Sequence, residues 1–292
     1  MTLAYIISAY KLPGQLTRLV STLDAEASHF FVHVDRKTDD ATYRQIAESL
    51  ADRRNVRFLK RHRCDYGGFG HVRATLTGIR EIARLGLRAD YTILLTGQDY
   101  PVKPNGEIEE FFRRHEGESF MEYFPLPSDD WERGGLDRIT EWHVRVRGRY
   151  VRFPGRLPIP VRREFPLGLR PFGGSAYWCL SRECVDYVRS FLDASPAYRR
   201  FFQYVNVPDE IFFHSILLNS PLEERVVNDD LRYLEWRNPA AAGGPAVLTR
   251  EDFEKIVTSG KLFARKFDAG EDEAILDMID AAIDDGRAQP SG

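Results

Sequence analysis

The strongest constraint on the fold is an alternation of short apolar runs with helix-like segments through the first 125 residues. The apolar runs cover residues 3–8, 30–35, 56–59 and 91–95 and have the length of buried strands. The segments between them carry apolar residues at helical spacing, as in residues 72–82. This alternation predicts a mostly parallel sheet covered by helices on both faces. In such sheets, small molecules bind beyond the carboxyl ends of the strands.

The regular pattern is interrupted between residues 125 and 171, where prolines are frequent. A chain of 292 residues, 43% of them hydrophobic, is long enough for one large α/β domain. We predict a domain over residues 1–268, with halves at about 1–125 and 126–268, followed by a C-terminal helix and polar tail over 269–292. The elements predicted after the interruption are a strand at 175–180, helices at 183–192 and 209–218, a strand at 231–236 and a helix at 250–259.

The composition excludes some classes of protein. The net charge of -3 provides no long-range attraction to nucleic acid, so no nucleic-acid partner is expected. The three cysteines, Cys64, Cys179 and Cys184, lack the spacing of a zinc site, and we expect buried or free thiols, with a disulfide between two of them as the alternative. The sequence shows neither a signal-peptide pattern nor a run of about 18 apolar residues. We therefore expect a cytoplasmic protein, and peripheral contact with a membrane stays open.

Polar residues and glycines follow several of the predicted strands. Asp35 ends the second strand and suits a hydrogen bond to a ribose or a base, although a turn before a helix explains it as well. Gly67 and Gly68 precede a helix and permit close approach of an anion, with a plain tight turn as the alternative. Asp99 lies in the polar turn after the fourth strand, either beside a ligand or holding the turn.

Two later segments carry charges that suit catalysis or anion binding, and each also has an ordinary structural explanation. Glu210 follows Asp209 at the predicted start of the 209–218 helix, where helix capping and the helix dipole account for both carboxylates. Arg265 and Lys266 lie between two phenylalanines and suit either a diphosphate or a solvated basic turn.

The segment from 145 to 163 contains seven arginines interleaved with aromatic residues and prolines. An exposed loop explains it, and a contact surface for an anionic acceptor or a membrane is the alternative. No RNA-binding signature accompanies it.

Five segments in fixed order carry a resemblance to a known family. They read FVHVD (31–35), LTGQDYP (95–101), GSAYWCLSR (174–182), PDE (208–210) and LFARKFD (262–268). In this order they resemble the core-2/I-branching β-1,6-N-acetylglucosaminyltransferases and the related peptide O-xylosyltransferases, which form glycosyltransferase family 14. The resemblance extends over residues 3–268.

The resemblance implies a fold and a mechanism. The fold is GT-A-like and α/β, with a Rossmann-like N-terminal half, and the reaction uses a UDP-sugar, inverts the anomeric carbon and needs no metal or other cofactor. Glu210 matches the catalytic base, which takes a proton from the acceptor hydroxyl. Lys266 matches the lysine that neutralises the departing diphosphate, with Arg265 assisting it.

The resemblance also implies binding residues. Trp236 matches an aromatic residue at the acceptor site, and Arg138 and Glu141 are acceptor candidates from the 125–171 segment. The residues that match the donor side, in addition to the two cations, are Asp35, Gly67, Gly68 and Asp99. The membrane anchor and paired cysteines of the animal enzymes have no counterpart in this sequence.

From these features we expect an enzyme that moves N-acetylglucosamine from its UDP-sugar to a hydroxyl of a glycan or glycolipid, in polysaccharide assembly. One alternative is a xylosyltransferase that uses UDP-xylose. Another is a carbohydrate- or nucleotide-binding homologue without catalysis.

Overall fold

The computed structural model of the chain describes residues 1–146, 149–152, 163–237 and 244–288. Its contacts divide the chain into two compact units, and both units are discontinuous in sequence. Unit 1 comprises Met1–Leu59, Arg88–Glu116 and Leu231–Gly292, and unit 2 comprises Lys60–Leu87 and Gly117–Asp230.

Strands and helices alternate strictly through the first 96 residues and less regularly after them. The strands are β1 (Leu3–Ala9), β2 (Ser28–Val34), β3 (Val56–Phe58), β4 (Tyr91–Thr96), β5 (Asp99–Pro101), β6 (Ser119–Pro125), β7 (His143–Val146), β8 (Arg149–Arg152), β9 (Phe172–Ser181), β10 (Val226–Val227), β11 (Arg232–Leu234) and β12 (Phe263–Arg265). The helices are α1 (Pro13–Thr22), α2 (Asp40–Ser49), α3 (Gly70–Arg84), α4 (Asn105–Arg114), α5 (Asp137–Thr140), α6 (Arg182–Ala194), α7 (Pro196–Phe202), α8 (Phe212–Leu217), α9 (Phe253–Thr258) and α10 (Ala274–Ala288).

Parallel strands in the order β4-β1-β2-β3 form the main sheet of unit 1. Strands β1, β2 and β4 are almost wholly buried, which explains why their apolar runs are continuous rather than alternating. Ala9 pairs with Val34, and Ser8 pairs with Thr96. This register brings the carboxyl ends of three strands to one edge of the sheet.

A smaller sheet of unit 1 has the order β11-β12-β5. Strand β12 runs parallel to β11 and antiparallel to β5, and Arg265 pairs with Asp99. Because β5 begins three residues after β4 ends, this pairing places the end of β12 beside the turn that follows β4.

The strands β10, β6 and β9 lie side by side in unit 2. Strand β6 is parallel to β10 and antiparallel to β9. Helices α6 and α8 pack on β9, where Trp178 meets Phe213 edge to face with ring centroids 5.3 Å apart. This buried aromatic pair fixes α8, and therefore also the end of the 3-10 turn Pro208–Glu210 that precedes it.

The predicted α/β fold class is confirmed, since a mostly parallel sheet is flanked by helices. The expectation for Cys64, Cys179 and Cys184 is also confirmed, because all three are buried, free thiols. Among the described helices, none combines the length and the apolar character that crossing a membrane requires. The domain boundary at 268 and the halves divided near 125 stay predictions.

The predicted helix at 209–218 is wrong at its start. Helix α8 begins at Phe212, and Ile211, with φ −133°, separates it from the preceding 3-10 turn. The predicted cap role of Asp209 is also wrong, because the helix makes no side-chain cap hydrogen bond. The predicted helix at 250–259 likewise begins as a 3-10 turn, and α9 itself starts at Phe253.

Most of the arginine-rich segment 145–163 lies outside the side chains that the structure describes. Arg163 is described, and its guanidinium donates to the carbonyl oxygens of Tyr204 and Phe201 at 2.8 and 2.5 Å. It also lies over the Phe201 ring, 3.8 Å from the centroid. Arg163 therefore has a structural role, and the predicted contact surface stays a prediction.

Candidate functional site

The predicted base, Glu210, ends a three-residue 3-10 turn in unit 2. Val207, before the turn, has left-handed backbone geometry with φ 48°, and Ile211, after it, breaks the helical geometry. The N–H of Val207 donates to the carbonyl oxygen of Gly67 at 3.0 Å, which ties the turn to the loop before α3. Glu210 is therefore held in a short, anchored turn rather than inside a helix.

A charged pair joins Glu210 to Arg138 of α5. Nη1 of Arg138 donates to Oε2 of Glu210 at 2.6 Å. The guanidinium also lies over the ring of Trp131, with Cζ 3.7 Å from the ring centroid. The side chains of Arg138 and Glu210 are 22% and 32% exposed. Arg138 is thus held between an aromatic face and a carboxylate, and Glu210 remains partly accessible to solvent.

Two glycines seat the ring of Trp131. A Cβ atom added at Gly135 would lie 2.4 Å from a ring carbon, and one added at Gly173 would lie 2.5 Å from another. Gly135 also has a positive φ of 73°. A side chain at either position would displace the ring. These close contacts therefore fix Trp131 and, through it, Arg138.

The pKa of Glu210 is raised to about 7, chiefly by burial and next by the charge of Asp209, whereas the charge and hydrogen bond of Arg138 lower it. A carboxyl group with this pKa exchanges its proton near neutral pH, which suits a general base. Oδ1 of Asp209 is buried and makes no hydrogen bond within the described part of the chain. Burial and the charge of Asp209 therefore raise the pKa of Glu210 by more than the ion pair with Arg138 lowers it.

The carboxyl ends of β1, β2 and β4 form the predicted ligand edge in unit 1. Asp35 accepts the N–H of Lys37 at 2.8 Å, and Nζ of Lys37 lies 3.6 Å from its other oxygen. Tyr10, directly after β1, is 53% exposed, and its hydroxyl donates to Oε1 of Gln98 at 3.2 Å. An exposed aromatic ring and a carboxylate at one edge suit stacking on a base and hydrogen bonding to a ribose.

Positive charge gathers at the same edge of unit 1. Lys266 follows β12 directly, and Asp268, two residues later, forms an ion pair with Lys11. The hydrogen bond from Lys11 holds the pKa of Asp268 below its ordinary value, with burial opposing it and the charge of Lys266 adding to the lowering. The N–H of Phe267 donates to the carbonyl oxygen of Gln98 at 2.8 Å. Two lysines around one carboxylate leave net positive charge available to an anion.

Asp99 is fully buried, with 0% of its surface exposed. Its Oδ2 accepts the N–H and the hydroxyl of Thr96 at 2.7 and 2.5 Å. Its Oδ1 lies 3.8 Å from Nε of Arg232 and 3.9 Å from Nε of Arg265. Asp99 therefore holds the turn through Thr96 and lies within ion-pair distance of Arg232 and Arg265. The donor-side role of Asp99 stays a prediction.

The other predicted residues are distributed over both units. Trp236 of unit 1 is 55% exposed, so its ring is accessible for stacking on a sugar. Gly67, with φ 65°, and Gly68 form a tight turn of unit 2, in which the N–H of Gly68 donates to the carbonyl oxygen of Asp65 at 2.9 Å. Glu141, at the end of α5, is half-buried. Roles of these residues in binding stay predictions.

Sequence patterns do not single out three residues of these sites, which are Tyr10, Lys11 and Trp131. A signal for the first two exists, since they directly follow the first buried strand, at the edge where ligands bind. Trp131 lies in the proline-rich segment, and part of its seat is Gly173, which is distant in sequence. Among the residues that the structure describes, no group of three or more His, Cys, Asp or Glu side chains is arranged to hold a metal ion.

Comparison with known proteins gives a family match over most of the chain. The profile described as "Branch: Core-2/I-Branching enzyme" matches residues 3–257. Xylosyltransferase 2 of Rattus norvegicus is 27% identical over 287 residues, which cover 91% of this chain and 32% of the rat protein. Xylosyltransferase 1 of Canis lupus familiaris is 25% identical over 91% of this chain and 29% of the dog protein. The chain thus spans about a third of the length of these relatives.

Similarity to solved structures is weaker. The 4-diphosphocytidyl-2C-methyl-D-erythritol synthase of Anaerococcus prevotii is 10% identical, with a TM-score of 0.34 over 69% of this chain and 81% of that chain. This likeness carries no functional argument. The family match alone covers far more than half of the sequence. The chain therefore belongs to the Core-2/I-branching enzyme family of glycosyltransferases.

Proposed function

We propose that this protein is an inverting glycosyltransferase that moves a sugar from a UDP-sugar to an acceptor hydroxyl by single displacement. The acceptor oxygen attacks the anomeric carbon while the bond from that carbon to the diphosphate breaks, and UDP leaves. Glu210 takes the proton of the hydroxyl. Lys266, assisted by Arg265, stabilises the departing diphosphate and supplies the charge that a metal provides in other enzymes.

The observation that carries the proposal is the state of Glu210. A carboxylate in an ordinary ion pair has a lowered pKa, whereas Glu210 has a pKa of about 7 despite its hydrogen bond with Arg138. Perturbed carboxyl groups of this kind concentrate at catalytic sites. Because 32% of the side chain is exposed, an acceptor hydroxyl can reach it.

The ligand edge of unit 1 supports the donor side of the proposal. Tyr10 offers an exposed ring to uracil, and Asp35 offers a carboxylate to the ribose. Lys266 and Lys11 lie near Asp268 at this edge, and the net charge of these three residues is positive. These are the three kinds of contact that a nucleoside diphosphate needs.

The donor sugar is the finer part of the proposal. We propose N-acetylglucosamine, which the resemblance to branching enzymes favours, with xylose as the alternative that the names of the relatives favour. A binding protein without catalysis is the remaining alternative, and the pKa of Glu210 argues against it. A cytoplasmic location and an acceptor in polysaccharide or glycolipid assembly stay predictions.

A donor screen with and without a chelator tests this function. Release of UDP is measured with UDP-N-acetylglucosamine, UDP-xylose and UDP-glucose, each in the presence and absence of excess EDTA. We expect the first donor to be used fastest, and EDTA to change the rate by less than about twofold because fixed cations act on the diphosphate. A strict manganese requirement would contradict the role given to Lys266. Tight UDP binding without turnover of any donor would favour the non-catalytic alternative.

The pH dependence of kcat/KM provides a separate prediction. A base acts in its deprotonated form, so kcat/KM is expected to fall as the pH drops below about 7, the pKa of Glu210. Arg138→Gln removes the positive charge that lowers this pKa. The acid limb should therefore move to higher pH, and the variant should lose more activity at pH 6 than at pH 8. Initial rates across this range measure the limb.

Arg133→Gln is the matched control for that experiment. Arg133 is exposed and lies on the same unit, and its removal changes the net charge by the same amount. The control is expected to show the same acid limb as the wild type in the pH dependence of kcat/KM. A limb that stays in place in Arg138→Gln, or moves to lower pH, would contradict the assignment of the limb to Glu210.

A further inference from the structure

A basic groove of about 510 Å³ lies on unit 2 between α3 and the end of α7. One lining residue, Glu81, is acidic. The cations of the lining are Lys60, Arg73, Arg80, Arg84 and Arg199. This groove is distinct from the arginine-rich segment 145–163.

Most cations of the groove make no ion pair with a described residue, and three of the five lie on α3. Glu81 pairs with Arg84 at 2.7 Å, whereas the other four cations make no ion pair with a described residue. Arg73, Arg80 and Arg84 share one face of α3 and span about 16 Å of its length. A second hollow of about 260 Å³ shares Arg80 and Arg84 with the groove and is also lined by Arg189 and Asp193 of α6. The site is therefore longer than a single anionic group.

Polar groups accompany these charges. Partial burial lowers the pKa of His62, and the positive charges of Arg73 and Lys60 lower it further, so these cations act on the interior of the groove. Nε2 of His62 lies 2.8 Å from the hydroxyl of Thr77. The side chains of Thr77 and Gln203 also line the groove. Hydroxyl and amide groups of this kind hydrogen-bond to the hydroxyls of a sugar.

The apolar residues of the groove are recessed. Phe69 and Leu76 are 8% and 4% exposed. The described lining therefore offers no exposed aromatic ring on which the bases of a single-stranded nucleic acid stack. It also offers no protruding apolar residue that would insert into a membrane surface. A charged, hydroxyl-rich chain fits this lining better than either.

We propose that the groove binds an acidic polysaccharide, a sugar chain that carries carboxylate, sulfate or phosphate groups, and holds it as the acceptor. Charges spaced along such a chain match the cations spaced along α3. Phe69 packs edge to face on Phe212, with ring centroids 5.9 Å apart, and Phe212 begins the helix that follows the Glu210 turn. The groove thus adjoins the segment that carries the base. The assignment of the polysaccharide as acceptor rests on the proposed function, whereas binding of the polysaccharide to the groove does not.

Binding is measured with the full chain in the absence of any UDP-sugar, so that no turnover is needed. The probes are labelled dextran sulfate and oligogalacturonate, with plain dextran as the neutral probe. The triple variant Arg73→Gln, Arg80→Gln, Arg199→Gln is expected to bind both acidic probes at least about tenfold more weakly than the wild type, because three attracting charges are lost. Plain dextran is expected not to bind.

The matched control removes three arginines at exposed positions of unit 1. It is the triple variant Arg44→Gln, Arg54→Gln, Arg114→Gln. The net charge of the protein changes equally in both variants, so a general charge effect would weaken both. We expect the control to change the Kd for dextran sulfate by less than about twofold.

The outcomes separate binding from catalysis. A groove variant that binds as the wild type does, or equal losses in the two triple variants, would overturn the proposal. The proposal would also be overturned if the wild type bound vesicles of phosphatidylglycerol and phosphatidylcholine, or single-stranded DNA, more tightly than dextran sulfate and the groove variant lost that binding. If transfer activity is absent and groove-dependent binding persists, the proposed function fails and the groove assignment stands. If transfer occurs and the groove variant keeps its KM for an acidic acceptor, the acceptor assignment fails.

Discussion

Replacement of Glu210 by glutamine is expected to lower kcat about a thousandfold while UDP binding stays within about twofold of the wild type. Glutamine keeps the shape of the side chain but takes no proton from the acceptor hydroxyl. The wild-type carboxyl group has a pKa of about 7 and is therefore largely ionised at pH 8. Single-turnover transfer at pH 8, together with calorimetry of UDP binding, measures the two quantities separately.

Glu132→Gln is the control for this substitution. Glu132 belongs to the same unit, is exposed and makes the same change of charge. Its kcat is expected to equal that of the wild type. Turnover retained in Glu210→Gln would remove Glu210 from the role of base. A loss of UDP binding that parallels the loss of turnover would contradict the mechanism, because the base contacts the acceptor and not UDP.

Three strands of the first half, β1, β2 and β4, are predictable because they are buried on both faces. Residues 3–8 and 91–95 read as continuous apolar runs, and β1 and β4 each extend one residue beyond them. Strands β5 and β12 have three residues each and lie far apart in sequence, so neither has a readable pattern of its own. Their pairing is a tertiary property.

The base segment escapes local prediction for a similar reason. The sequence after Pro208 has helical spacing, but Val207 adopts φ 48° and Ile211 adopts φ −133°. The hydrogen bond from Val207 to Gly67 favours this geometry over a continuous helix. Tertiary contacts thus override the local helical preference at the residue that the mechanism needs.

The surroundings of Glu210 show what sequence reasoning leaves out. Arg138 and Glu210 are both candidates from the sequence, but 72 residues separate them and nothing in the sequence pairs them. The ring of Trp131 packs directly against Gly135 and Gly173, and this need for glycine is visible only in the folded structure. The residue types can be read from the sequence. The geometry that raises the pKa of Glu210 and orients its carboxylate cannot.

Replacement of Lys266 by alanine is expected to lower kcat/KM about a hundredfold and to weaken UDP binding about tenfold. The ammonium group is assigned to the diphosphate, on which negative charge grows as the bond to the sugar breaks. Its loss therefore acts on the transition state more than on bound UDP. Initial rates at varied donor concentration give kcat/KM, and calorimetry with UDP gives the Kd. Lys255→Ala is the control, because Lys255 is an exposed lysine of the same unit.

Arg265→Ala separates a charge that acts on the ligand from a charge that holds the fold. Arg265 lies against the buried carboxylate of Asp99, so its removal is expected to lower the free energy of unfolding by about 2 kcal/mol. Lys266 is half-buried and its neighbour Asp268 keeps its ion pair with Lys11, so Lys266→Ala should leave the urea midpoint unchanged. Normal kinetics in Lys266→Ala would remove it from the diphosphate site. A lowered urea midpoint in Lys266→Ala would mean that its kinetic loss reflects instability of the fold. Arg265 would then be the remaining candidate for the positive charge that stabilises the departing diphosphate.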